Sequence, residues 1–191
     1  MRELELRGDD DAIGRLVECL SDESGYQRDL AEQALMRLGA RAAPALRPLL
    51  RQGLWYTRAS AARILGRIGN GDAVPELFRL VEDANHTVGA SGLDALLEIG
   101  HQRGAIRLAH ALHRMSPDVR QRRMEEILAR DPILGERLRR FLRVEELMAM
   151  EDASQLQDDS AAVRATEEGV EWEVLTGPPR PSAHPGGASG G

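Results

Sequence analysis

Three histidines are the residues of this sequence that come nearest to forming a metal site. His110 and His113 lie three residues apart, and His101 precedes them. On a helix, this spacing can bring two imidazoles to the same side of a zinc or iron ion. No cysteine or carboxylate lies within the same turn to complete the ligand set, so we expect neither a metal nor a cofactor.

The sequence also lacks the residues and motifs of several other kinds of catalytic site. All 25 basic residues are arginines, and the absence of lysine excludes Schiff-base catalysis and a P-loop lysine. The sequence has no glycine-rich phosphate loop after a strand, no nucleophile elbow and no paired cysteines. We therefore assign no catalytic residue and predict that the chain is not an enzyme.

The compartment follows from cysteine usage and hydropathy. Cys19 is the single cysteine and has no partner for an internal disulfide, which is typical of a reducing compartment. No apolar run approaches the roughly 20 residues of a membrane helix, and the N-terminus has no apolar signal region. We predict a cytoplasmic protein with no membrane segment.

The elements that would carry these side chains repeat along the sequence. Residues 26–50 and 56–81 share apolar, small and glycine positions, and weaker copies follow at 87–112 and 118–142, a period of 30 to 31 residues. In each copy, apolar residues recur three and four apart, which indicates two amphipathic helices. Three glycines suit the left-handed end of a first helix, and two prolines suit the start of a second. They are Gly39, Gly69 and Gly100, and Pro44 and Pro75.

Such helix pairs must stack, because a single pair leaves its apolar stripes exposed. Ala31, Ala34, Ala61 and Ala62 are small where neighbouring helices would approach most closely. The predicted fold is therefore all-α, a right-handed α-α superhelix of about four helix pairs over residues 1–150.

The segment RASAARILGRIGNGDAVPEL, residues 58–77, resembles a HEAT repeat of the short, phycobilisome-lyase type. The resemblance covers about residues 11–142 and implies an armadillo-type solenoid. It also implies alternatives, since HEAT-like lyases and hydroxylases handle cofactors or metals, and some DNA glycosylases are built from similar helix pairs. HEAT-type iron hydroxylases carry repeated His-Glu pairs, and this sequence has none.

In solenoids of this family, the second helix of each pair usually lines the concave side. The predicted buried positions on these helices are 46, 49 and 50, then 77, 80 and 81, then 108, 111 and 112, which turns their neighbours, Ala109 included, outward. The outward residues form a mostly basic candidate surface for a partner. Its members are Arg47, Arg51, Phe78, Arg79, His110, His113, Arg139, Arg140 and Arg143. Phe78 is either an anchor for the partner or a residue of the core.

The surface becomes more basic toward the end of the repeats. Residues 101–143 carry 11 arginines and 5 acidic residues, which suits an acidic peptide, a phosphate or nucleic acid. The net charge of −6 and the acidic tail argue against nucleic acid. Trp55 and Tyr56, between the first two copies, either form an exposed binding spot or fill the gap between repeats.

Residues 151–191 are expected to form a flexible tail, acidic at first and then rich in proline and glycine. Val170, Trp172 and Val174 alternate there with glutamates, so one face is apolar and the other acidic. This pattern is either a short docking motif or a chance apolar cluster. We also hypothesise that the tail folds back onto Arg139, Arg140 and Arg143 and competes there with a partner.

These features together predict a non-enzymatic scaffold or adaptor. It would bind another protein, whose identity the sequence does not give, on the concave face and through the Trp172 motif. The alternatives are a lyase- or hydroxylase-type cofactor or metal handler and, with less support, a nucleic-acid-binding protein.

Overall fold

The computed structural model describes residues 2–144, 146 and 148 of the 191-residue chain, with only the backbone at Arg103. The tail motif at Val170, Trp172 and Val174 lies outside the described residues. The boundary expected near residue 150 also lies outside them and stays a prediction.

All regular elements in the described range are helical, as predicted. The α-helices are α1 (Arg2–Arg7), α2 (Asp10–Cys19), α3 (Gly25–Leu38), α4 (Ala43–Leu46), α5 (Trp55–Ile68), α6 (Val74–Leu80), α7 (His86–Ile99), α8 (Ala105–His113), α9 (Pro117–Arg130) and α10 (132–144). Residues 146 and 148 are also helical. The main helix pairs are α5 with α6, α7 with α8, and α9 with α10, which confirms the all-α solenoid.

Three predicted helix ends are confirmed, and Asp9 caps a further helix start. At the N-terminus of α2, the Asp9 carboxylate accepts a hydrogen bond from the backbone N–H of Ala12 at 2.8 Å. Gly39 and Gly69 end α3 and α5 with φ angles of 64° and 73°, a region that favours glycine. Pro75 lies in the first turn of α6, where its missing N–H leaves no hydrogen bond unmade.

Gly100 does not end α7 in a left-handed conformation, so that prediction was wrong. Its φ is −60°, and the chain continues from α7 through a π-helical turn, Gly100–Gly104, into α8. A Cβ atom on Gly100 would lie 2.6 Å from Leu134 Cδ2. We attribute the glycine to this close approach of α10 rather than to backbone conformation.

The second half of the first repeat is not one continuous α-helix. Residues Gly39–Ala42 and Arg47–Leu50 are 3₁₀ turns on either side of the four-residue α4. Pro48 has no N–H to donate to the carbonyl of Pro44, so the α-helical hydrogen-bond pattern breaks there.

The core contains the small residues that the repeat pattern placed at the helix contacts. Ala31, Ala34, Ala61 and Ala62 are fully buried. The tightest approach in this region is between α5 and α7, where a Cβ atom on Gly66 would lie 2.7 Å from Ala95 Cα. This packing fixes the spacing of the first helices and, through them, of the second helices α6 and α8.

Candidate functional site

A cleft of about 790 Å³ opens between α6, α8 and the first half of α9. It lies on the side of the second helices, where the sequence predicted a binding surface. We refer to it as the α6–α8 cleft. Its lining residues are Gly71, Asp72, Val74, Pro75, Phe78, Arg79, Glu82, Arg107, His110, Ala111, Arg114, Met115, Val119 and Arg123.

Helix geometry explains which residues α8 contributes. One face of α8 and of its C-terminal turn carries Arg107 and the residues three, four and seven positions after it. They are His110, Ala111 and Arg114. The opposite stripe, which includes Leu108 and Leu112, is buried. The helix therefore presents a basic edge to the cleft while its apolar face packs in the core.

The floor of the cleft is apolar, and Phe78 is part of it. Phe78 is only 4% exposed and belongs to the hydrophobic core, so its predicted outward position was wrong. Ala109, the matching residue of α8, was also expected outward and is fully buried. A helix that packs against its own pair and the next pair buries a wider stripe than the three positions per helix that we predicted.

The guanidinium of Arg123 lies at the base of the cleft and is buried. Its side chain is 5% exposed, and its two terminal nitrogens donate to Glu82, which follows α6, and to Glu126 at 2.6 Å. A buried guanidinium needs such partners, because an unpaired buried charge is strongly destabilising. This ion-pair network joins α9 to the end of α6.

Two arginines leave positive charge at the cleft without compensation. Arg79 and Arg114 are exposed, and neither forms an ion pair with any residue that the structure describes. Arg107, by contrast, pairs with Asp72. The cleft thus combines an apolar floor with two guanidinium groups free to meet carboxylates.

The other predicted surface residues lie elsewhere. Arg47 and Arg51 approach the same carboxylate, that of Glu76, at 2.7 and 3.8 Å, so one of their two charges is compensated. In α10, Arg139 pairs with Glu136 at 2.7 Å. Arg140 and Arg143 are exposed and do not line the cleft. The structure brings only Phe78, Arg79 and His110 of the predicted set to the cleft.

The predicted histidines are not gathered into one site. His110 lines the cleft, His113 is half-buried outside its lining, and His101 contacts Asp131 at 2.5 Å. The backbone N–H of Leu134, and then His101, hold the pKa of Asp131 below its usual value. Among the described residues, no group of three or more His, Cys, Asp or Glu side chains could hold a metal ion.

Trp55 and Tyr56 form the start of α5, at the junction between the first two repeats. Their rings meet edge to face with centroids 5.6 Å apart, and the Arg28 guanidinium lies 4.5 Å from the Tyr56 ring centre. Tyr56 is half-buried against its neighbours, whereas Trp55 remains 48% exposed. Tyr56 therefore fills the gap between repeats, whereas Trp55 keeps the exposure that a binding spot requires.

Cleft residues that the sequence did not identify include Arg107, Arg114, Met115, Val119 and Arg123. The spacing of Arg107, His110 and Arg114 on one helical face was a signal that could have identified the α8 edge. Nothing comparable in the sequence places the start of α9 across the end of α6.

No curated protein is significantly similar to the sequence. A solved structure of human deoxyhypusine hydroxylase in complex with glycerol is similar, with 25% sequence identity and a TM-score of 0.42. The match covers 69% of this chain and 43% of the hydroxylase, so the chain spans less than half of that protein.

Within the described residues, no helix is long and apolar enough to cross a membrane. Residues 43–129 match the family described as HEAT repeats. This stretch includes α4 through nearly all of α9 and thus every helix that lines the cleft. This match confirms, for residues 43–129, the resemblance to HEAT repeats that the sequence predicted.

Proposed function

We propose that this chain is a non-enzymatic, cytoplasmic scaffold that binds another protein at the α6–α8 cleft. Stacked helical repeats commonly bind partners along the surface that their second helices form. The proposed site is smaller than the predicted surface, since it excludes Arg47 and Arg51, which do not line the cleft, and moves the centre toward α8 and α9.

The observation that carries the proposal is the combination of Phe78, Arg79 and Arg114 in one cleft. The apolar floor around Phe78 can accept an apolar side chain, and burial of such a side chain contributes roughly 1.5–3 kcal/mol. Arg79 and Arg114 can form charge-assisted hydrogen bonds with carboxylates of the same segment. The favoured ligand is therefore an acidic peptide segment with an apolar anchor.

The lining of the cleft also supports binding over catalysis. Its described residues include no serine, threonine or cysteine that could act as a nucleophile. His110 is the single histidine among the lining residues.

The test is affinity purification from the native host with three forms of the full-length chain. They are the wild type, the cleft variant Arg79→Ala/Arg114→Ala and the control variant Arg15→Ala/Arg41→Ala. The controls are exposed arginines on α2 and in the turn after α3, away from the cleft. Circular dichroism first verifies that all three forms are equally helical.

We expect a partner that the wild type and the control variant recover equally and that the cleft variant recovers at least tenfold less. The partner is then purified, and its direct binding to the three forms is measured. Equal recovery by all three forms would contradict the proposal. Recovery of nucleic acid lost only from the cleft variant would favour the nucleic-acid alternative instead.

A further inference from the structure

The described chain ends beside the α6–α8 cleft. Glu146, in the helical continuation of α10, pairs with Arg120 of α9 at 3.2 Å. Arg120 adjoins Val119 and precedes Arg123 by one turn, and both of these residues line the cleft. The part of the chain that the structure describes therefore ends close to the α9 wall of the cleft.

The sequence of this remaining chain is complementary to the cleft. Residues 149–191 contain eight acidic residues and two arginines. Four of the acidic residues lie in residues 167–175, EEGVEWEVL, where Val170, Trp172 and Val174 alternate with glutamates. This segment offers carboxylates for Arg79 and Arg114 together with a large apolar side chain for the floor.

The connection is long enough for this segment to reach the cleft. The 18 residues from 149 to 166 span at most about 60 Å when extended and about 25 Å on average as a flexible chain. A cleft of about 790 Å³ measures only about 9 Å across if it is taken as a cube. Chain length therefore does not limit docking.

We propose that residues 167–175 of the same chain occupy the α6–α8 cleft, with Trp172 as the anchor, and that a partner protein must displace them. The inference rests on the proposed function, because it identifies the occupant of the same site. It replaces the hypothesis that the tail docks on Arg139, Arg140 and Arg143, since those residues do not line the α6–α8 cleft.

Tethering makes even a weak contact effective. A short flexible linker gives an effective concentration of the order of millimolar. A segment that binds as a free peptide with a dissociation constant of about 50 μM would then fill its own cleft most of the time and weaken a competitor by about tenfold or more.

The test measures how a fluorescein-labelled peptide of residues 165–177 binds to full-length chains by fluorescence polarisation. The chains are the wild type, Trp172→Ala, Ser182→Ala as a control in the same tail, and Trp172→Ala combined with Arg79→Ala/Arg114→Ala. None of these tail substitutions alters a described residue, so Trp172→Ala and Ser182→Ala leave the helical repeats intact.

We expect the peptide to bind Trp172→Ala at least about tenfold more tightly than it binds the wild type or Ser182→Ala. The triple variant should lose this gain, and a peptide with alanine in place of its tryptophan should bind none of the chains. Equal affinity for wild type and Trp172→Ala, or no binding to either, would overturn the inference.

Sedimentation of the wild type at several concentrations identifies the source of the segment. A concentration-dependent dimer that Trp172→Ala dissolves would overturn docking within one chain in favour of docking between copies. None of these outcomes decides the proposed function. That proposal is tested separately, by whether the Arg79→Ala/Arg114→Ala variant recovers less of the host partner than the wild type does.

Discussion

Arg123 of α9 donates a hydrogen bond to the carboxylate of Glu82, 41 residues earlier in the chain and just beyond α6. The guanidinium is buried, whereas Glu82 is more than half exposed. This contact joins the end of the second repeat to the fourth repeat at the base of the α6–α8 cleft. The shape of the cleft therefore depends on an ion pair as well as on apolar packing.

Replacement of Arg123 by alanine should destabilise the protein. The change removes hydrogen bonds to Glu82 and Glu126 and leaves space where a long side chain was buried. We expect the free energy of unfolding in urea to fall by about 1–3 kcal/mol, since both carboxylates can regain water.

The matched control is Arg130→Ala on the same helix. Arg130 pairs with Asp94 at 2.8 Å, but both side chains are more than half exposed. Exposed pairs of this kind contribute about 0–1 kcal/mol, so this variant should unfold close to the wild type. If the two variants lost equal stability, the claim that the buried ion pairs of Arg123 stabilise the protein would be refuted.

Gly66→Ala should destabilise the protein although alanine favours helices. The new Cβ atom would lie 2.7 Å from Ala95 Cα, so α5 and α7 would have to separate. We expect a loss of about 1–3 kcal/mol from overpacking, measured by urea denaturation.

Gly14→Ala is the control for this substitution. Gly14 also lies within a helix, but nothing lies within 4 Å of its added Cβ atom. Helix propensity should then raise the free energy of unfolding by about 0.5–1 kcal/mol. A stabilising Gly66→Ala would show that the two helices do not approach as closely as described.

The Arg58–Asp83 pair should make stability depend on pH in the acid range. Arg58 donates to both oxygens of Asp83, at 2.9 and 3.0 Å, and holds the pKa of Asp83 below its ordinary value of 3.8. A lowered pKa in the folded state means stabilisation that is fully present above the unfolded-state pKa. That stabilisation is lost as the pH falls through the folded-state pKa.

Asp83→Asn should therefore lower the free energy of unfolding at pH 7 by about 1–3 kcal/mol. The difference from the wild type should stay constant down to about pH 5 and shrink below pH 3.8. Urea titrations across this range measure the difference. Asp29→Asn, at an exposed site without an ion pair in the described structure, serves as the control.

Partner binding at the cleft should weaken with salt. Arg79 and Arg114 are exposed, and the Debye length falls from about 10 Å at 0.1 M to about 3 Å at 1 M ionic strength. We expect the affinity of the captured partner to fall by about fivefold or more between about 0.05 and 0.5 M NaCl. Arg79→Ala/Arg114→Ala should bind weakly and show little of this dependence. A salt-independent affinity in the wild type would contradict an electrostatic role for the two arginines.

The repeat pattern predicted the helices well because their signals are local. The helix stops at Gly39 and Gly69 and the start at Pro75 depend on backbone chemistry that each residue carries in itself. Gly100 looked the same in the sequence, but its role depends on Leu134, which approaches from another helix. No property of residues 95–105 alone contains that information.

The candidate site was predicted only in part, because some of its residues are brought together by contacts between distant helices. Arg79 and His110 were identified because they lie beside apolar positions on second helices. Phe78 was assigned outward because the predicted buried stripe was too narrow. Arg114 and Arg123 became cleft residues only through the way in which α9 crosses the end of α6. That crossing arises from contacts 41 residues apart, which spacing within one helix does not reveal.

Site-specific photocrosslinking in the native host would test most directly that the α6–α8 cleft is the partner-binding site. A benzoylphenylalanine residue is placed at Val119, which lines the cleft, or at Ala129, which is exposed on the same helix outside it. The account predicts a crosslinked partner from position 119, none from position 129, and loss of the adduct when Arg79→Ala/Arg114→Ala is added. The same adduct from both positions, or an adduct from position 119 that survives loss of the two arginines, would contradict it.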